Sequence, residues 1–152
     1  TRACSTGWRS TVAEVAFFAP MRRPPTATGS NGKRYDGRSG AVYDSPALAR
    51  ARESIEAAIA PHSPSRPLTG PLSVEVRWCY PLMGRHRQGE PYAQKPDIDN
   101  SVKALLDALV RLGFISDDRL IAELRVVQAW AEPPGVYVRC AEIGGAPGAG
   151  RM

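Results

Sequence analysis

The sequence is short of the residues that staple, anchor or metallate a chain. Its 152 residues include three cysteines, Cys4, Cys79 and Cys140, and two histidines, His62 and His86. The cysteines are odd in number and widely spaced, so they supply neither a CxxC redox pair nor a zinc quartet. Cys79 and Cys140 fall inside apparent strands, where a free thiol behaves as a small hydrophobe in a reducing compartment. The histidines stand in Pro-, Ser- and Arg-rich loops without ligand spacing, which argues against a histidine-based metal site. No apolar run approaches the roughly 18 residues that a membrane helix needs, and Thr1 to Ser10 lacks the apolar core of a signal peptide. The expectation is a soluble cytoplasmic protein with no membrane partner and no organic cofactor. Acids are also in deficit, at 15 Asp and Glu against 20 Lys and Arg, for a net charge of +5.

That excess is localised. Met21 to Gly40 carries Arg22, Arg23, Lys33, Arg34 and Arg38 against Asp36, and Leu82 to Lys95 carries Arg85, Arg87 and Lys95 against Glu90. Two basic segments on a nearly neutral remainder suit a phosphate-binding rim, and equally suit two solvated loops. The hydrophobic fraction, 43%, is ordinary for one globular domain.

Strand and helix signals alternate along the chain. Val12 to Phe18 reads as a short strand stopped by Pro20. The next 27 residues have no period and read as a long loop, with a turn signal at Asn31-Gly32. Ser45-Pro46 is a helix start, with Leu48, Ile55 and Ile59 on one face and Pro61 as the stop. In Leu72 to Tyr80, apolar Leu72, Val74, Val76, Trp78 and Tyr80 alternate with other residues, the pattern of a half-buried strand. Ile98, Val102, Leu105, Leu109 and Leu112 mark one side of a second helix that Gly113 ends. Leu120 to Trp130 and Val136 to Ile143 read as a terminal hairpin. The predicted fold is α/β in the α+β sense: a small mixed sheet of about four strands, two main helices and a C-terminal β-hairpin. Residues 1–11 and 144–152 are expected to be flexible, flanking one domain over 12–143.

The chemistry concentrates in Lys95-Pro96-Asp97-Ile98-Asp99-Asn100, which runs directly into the second helix. Asp97 and Asp99 can converge on a point outside the helix N-terminus, where a hard cation such as Mg²⁺ would take one or two carboxylates. A cap or macrodipole role is the plainer explanation of Asp99 when the pair is taken in isolation. Lys103 shares its helix face with Asp99, either as a surface pair or aimed at the same point. A second acidic pair, Asp117-Asp118, precedes a strand, and Asp118 is expected to return to the helix start. Asp117 is assigned mainly to its turn, and Asp107 to a supporting role.

Taken together, Lys-Pro-Asp-Ile-Asp-Asn, Lys103, Leu106-Asp107-Ala108-Leu109, Gly113-Phe114 and Asp117-Asp118 before a strand resemble the RusA family of Holliday junction resolvases. The resemblance is close over Lys95 to Trp130 and loose elsewhere, and Pro20 to Tyr43 matches the family's N-terminal loop poorly. It implies a homodimeric, Mg²⁺-dependent endonuclease, with Mn²⁺ as a substitute, that resolves four-way or branched DNA by paired nicks in recombination and repair. Carried over by position, Asp97, Asp99 and Asp118 become metal ligands and Lys103 the catalytic lysine. Arg22, Arg23, Lys33, Arg34, Arg38, Arg85, Arg87 and Lys95 are then the expected DNA contacts.

The rivals are a less specific Mg²⁺ nicking or flap nuclease, which would share these residues, and a non-catalytic basic DNA-binding protein, which would not need the acids. A dimer is expected on two grounds: one acidic cluster per chain cannot make paired nicks at once, and two short helices are expected to be too few to bury all of Trp78, Tyr80, Trp130 and Tyr137.

Overall fold

In a computed structural model, which describes residues 9–27 and 33–144, the first strand (β1) runs from Arg9 to Pro20. It starts earlier than the sequence suggests, so residues 9–11 of the segment expected to be flexible belong to the sheet. Residues 1–8 and 145–152 lie outside the described residues, as does the Asn31-Gly32 dipeptide, whereas Gly144, expected to open the flexible tail, pairs with Arg9 in the sheet. The long basic loop contains a hairpin of its own. Lys33–Tyr35 (β2) pairs antiparallel with Val42–Asp44 (β3), and the chain turns at residues 36–41.

Ser45 caps the first helix, α1 (Pro46–Ile59), by accepting the Leu48 N–H on its hydroxyl at 3.2 Å. Pro46 occupies a first-turn position where no N–H is required. Leu48, Ala51, Ile55 and Ile59 face the core, and the helix tightens into a 3₁₀ turn at Ala60–His62. The strand Leu72–Tyr80 (β4) shows the alternation that its sequence carries. Leu72, Val74, Val76, Trp78 and Tyr80 are each at most 2% exposed, so a one-residue slip of register would turn all five into water. The opposite face is solvated and charged. Glu14 pairs with Arg139, and Glu75 pairs with both Arg77 and Arg125.

The second helix, α2 (Ile98–Arg111), buries Val102, Leu105, Ala108 and Leu109. Gly113 at φ +79° ends it, a left-handed conformation that suits glycine. Phe114 and Ile115 then fold back into the core with no exposed surface. Glu90–Pro91 (β5), Ile121–Trp130 (β6) and Gly135–Gly144 (β7) complete a five-stranded sheet in the order β1-β7-β4-β6-β5. Only the β4–β6 pair is parallel. Both helices belong to one core with the apolar face of the sheet.

The architecture is the expected mixed α+β sheet with two helices, with one difference in its terminal hairpin. The arms β6 and β7 run antiparallel, but β4 lies between them. The reason is the crossover through α2, which lays β6 parallel against one edge of β4 and leaves β7 the other edge. Of the four aromatics behind the dimer expectation, Trp78, Tyr80 and Trp130 are buried within one chain and Tyr137 is half-buried. No helix among the described residues is long and apolar enough to cross a membrane.

Candidate active site

Strands β1, β4 and β6 all run in one direction, so their carboxyl ends meet at one end of the sheet. The loops that leave from this end are tied to one another. The Met21 N–H donates to the Pro134 carbonyl at 3.1 Å, and the Leu82 N–H donates to the Glu132 carboxylate at 3.0 Å. Glu90 accepts the Arg87 N–H and bonds His86 Nδ1, both at 3.0 Å, which holds its carboxyl below the usual range. The His86 ring stacks on Trp130 at 3.9 Å. Arg85 and Arg87 are therefore carried, exposed, on an ordered loop, and Arg22, Arg23 and Lys95 are exposed at the same end.

The α2 N-terminus is fastened to this end by the side chains of Tyr80, Tyr92 and Gln128. The Tyr92 hydroxyl donates to the Lys95 carbonyl at 2.7 Å. Gln128 Nε2 reaches both the Pro96 carbonyl and the Tyr80 hydroxyl at 3.4 Å. The Tyr80 and Tyr92 rings stack at 3.6 Å, burying both rings beneath the loop. Only the apolar alternation of β4 hinted at Tyr80, and nothing in the sequence marked the other two.

Asp97 sits at the half-helical position before α2 with extended backbone. Its carbonyl accepts the Asn100 and Ser101 N–H groups at 3.1 and 2.9 Å, while its carboxylate makes no capping bond. Asp97 and Asp99 are both exposed, and among the described residues no cation pairs with either. Two unneutralised carboxylates within one turn fit a hard divalent cation, which commonly takes one or two carboxylates and completes its shell with water and phosphate. Lys103 is exposed one turn further along the same face.

Asp118 does not join this pair within one chain. It opens the 3₁₀ turn Asp118–Leu120 at the amino end of β6, where it lines an open cleft of about 500 Å³ with Arg52, Asp107, Val110, Arg111 and Asp117. Because α2 runs antiparallel to β6, the start of the strand abuts the end of the helix rather than its beginning. The eight residue steps from Asp99 to Asp107 alone span about 12 Å of helix. Among the described residues no three His, Cys, Asp or Glu side chains gather as a metal-binding group. Asp117 does serve its turn, accepting the Arg119 N–H at 2.8 Å and the Arg119 guanidinium at 2.9–3.0 Å. Those bonds hold its carboxyl below the usual range. Arg111 pairs with Glu56 of α1. Arg38 is exposed in the β2–β3 turn, and Lys33 and Arg34 lie on β2.

Residues 24–141 match the family described as Endodeoxyribonuclease RusA. The chain belongs to the RusA endodeoxyribonuclease family. It is 31% identical over 93 residues to the Uncharacterized protein YqaN of Bacillus subtilis (strain 168), covering 54% of this chain and 65% of the relative. It is 38% identical over 45 residues to the Crossover junction endodeoxyribonuclease rusA of Enterobacteria phage HK97, covering 30% of this chain and 38% of that protein. The chain thus spans less than two thirds of the length of either curated relative.

Proposed function

We propose that this RusA-family chain is a Mg²⁺-dependent endonuclease that resolves four-way DNA junctions by paired symmetric nicks, in DNA recombination and repair. The observation that carries the reading is the unneutralised pair Asp97 and Asp99, exposed at the sheet end from which the basic loops leave. Asp97 and Asp99 would hold the ion. A bound Mg²⁺ would supply a water activated near neutral pH and charge stabilisation at the phosphate. Lys103, one turn from Asp99, donates hydrogen bonds to the oxygens on which negative charge builds. Arg22, Arg23, Arg85, Arg87 and Lys95 hold the phosphates of the arms, and Lys33, Arg34 and Arg38 extend that grip along the hairpin. Tyr92 and Gln128 orient the Lys95–Pro96 backbone and hence Asp97.

A homodimer resolves the separation of Asp118. Strand β5 pairs with Ala129 and Trp130 of β6 and the following Tyr92 N–H bonds the Gln128 carbonyl, so among the described residues 121–127 lie on an outer edge, and Leu124 on it is 42% exposed. Antiparallel pairing of this edge with its copy sets the carboxyl end of one β6 beside the amino end of the other. Asp97 and Asp99 of each chain then face the partner's Asp118, and two equivalent sites arise for two nicks.

The deciding experiment offers a labelled four-way junction, linear duplex, splayed arms and a flap to the protein with and without Mg²⁺, with Mn²⁺ in parallel. Paired symmetric nicks in the junction alone, abolished by EDTA, are expected. Equal cutting of flap and junction would make the protein a less specific nuclease, and binding without cleavage would make it a binding protein.

A further inference from the structure

The hairpin β2–β3 departs from the rest of the molecule in what it shows to solvent. Tyr35 is 68% exposed, Val42 65% and Tyr43 50%. In its register Tyr35 stands opposite Val42, and Tyr43 opposite Arg34. Directly opposed residues share a face and neighbours alternate, so the ribbon carries an aromatic ring on each of its two faces. A two-stranded ribbon alone is marginal in water, and this one is knit by its turn. Asp36 accepts the Arg38 N–H and the Ser39 hydroxyl, both at 2.9 Å, and its N–H donates to the Ala41 carbonyl at 2.8 Å. The hairpin carries Lys33, Arg34 and Arg38 against Asp36 and Asp44, an excess of one positive charge.

We infer that this hairpin stacks Tyr35 and Tyr43 on unpaired or end-exposed bases at the branch point of the DNA. The inference rests on the proposed action on branched DNA. Three properties favour DNA over a second copy of the chain. The hairpin's excess of one positive charge, with Arg38 exposed at its turn, complements phosphate. The exposed rings are tyrosines, whose flat faces stack on any base. Both faces of the ribbon carry a ring, whereas a protein partner seated on the ribbon would cover one. In continuous duplex every base face is already stacked. At a branch point the end base pairs of the arms are exposed, so two rings back to back can each cap one arm.

The test compares wild type with Tyr35→Ser, Tyr43→Ser and the double variant, using a four-way junction and a linear duplex of the same sequence. A 2-aminopurine at the branch point reports stacking. Each Ser variant is expected to weaken junction binding roughly ten-fold while leaving duplex binding and its salt slope unchanged. Tyr35→Phe with Tyr43→Phe should keep junction affinity and the fluorescence change, because the ring rather than the hydroxyl is used. Unchanged junction affinity and 2-aminopurine signal in the double Ser variant overturn the inference while junction cleavage by wild type still stands. So does a shift of the double variant to monomer in light scattering against a dimeric wild type, which assigns the ribbon to a protein interface. If wild type fails to prefer the junction, the proposed function fails first and takes this inference with it.

Discussion

The two ends of α2 are built from similar residues and do different things. At the amino end, Asp97 and Asp99 stand exposed and no cation among the described residues pairs with them, in a loop fastened by Tyr92 and Gln128 and flanked by arginines on neighbouring loops. At the carboxyl end, Asp117 is matched by Arg119 and Glu56 by Arg111, while Asp107 and Asp118 share their cleft with Arg52 and Arg111. Asp117 and Glu56 are thus spent in ion pairs, whereas among the described residues no guanidinium pairs with Asp97 or Asp99. An acidic residue becomes a metal-ligand candidate through what its surroundings leave unpaired, and residue type alone does not decide it.

The largest expected effect breaks this comparison directly. Asp97→Asn or Asp99→Asn keeps the size of the side chain and removes its charge. Loss of metal-supplied stabilisation worth several kcal/mol corresponds to a cleavage rate lower by roughly 10²–10³ or more, with junction binding retained. Asp107→Asn, at the opposite end, should stay within a few-fold of wild type in the same cleavage assay. Near-normal cleavage by Asp99→Asn would remove the distinction between the two ends.

Asp118 sharpens the comparison, because its position makes its role depend on a second subunit. Asp99→Asn and Asp118→Asn chains are each expected to be inactive alone. Mixed one to one, they should recover about a quarter of the wild-type sites in randomly exchanged two-fold dimers, as single nicks. Sites contained within one chain would recover nothing. A nicked-plasmid assay on a supercoiled cruciform reads the difference.

Lys103 comes next. If it stabilises charge in the transition state, Lys103→Ala lowers the single-turnover rate by on the order of 10²–10³ at unchanged junction affinity. If it is a helix surface partner of Asp99, the change is limited to less than about 0.5 kcal/mol of stability. Smaller again is the effect of the rim. Arg22→Ala and Arg23→Ala should each reduce the slope of log K against log salt by about 0.9 on duplex arms, the value of one neutralised phosphate, measured by titration at several salt concentrations.

The smallest effect lies at the structural end. The Asp117 carboxyl is held below its ordinary value of 3.8 by Arg119, so its folded state favours the ionised form. The stability that wild type holds over Asp117→Asn is therefore complete at neutral pH and fades as pH falls below that value. Denaturant melts at pH 7 and pH 3 should show the two proteins converging in acid, with junction cleavage near neutral pH little changed.

The local devices of the fold were legible in the residues themselves. Ser45-Pro46 announced its helix because a hydroxyl cap and a missing N–H are properties of those two side chains wherever they stand. Gly113 announced a stop because glycine adopts a left-handed backbone readily, and β4 announced its buried face because side chains alternate along any strand. The run from Lys95 to Asp118 was legible through its resemblance to the RusA family, to which the chain belongs. What the sequence left undetermined were relations between segments distant along the chain. No local signal says that β4 lies between β6 and β7, that Trp130 is covered by His86 and Tyr92, or that a basic loop holds a hairpin with exposed tyrosines. The separation of Asp118 from Asp97 is of the same kind. It follows from the direction of α2 against β6, which the packing of the helix on the sheet decides and which residue spacing alone does not contain.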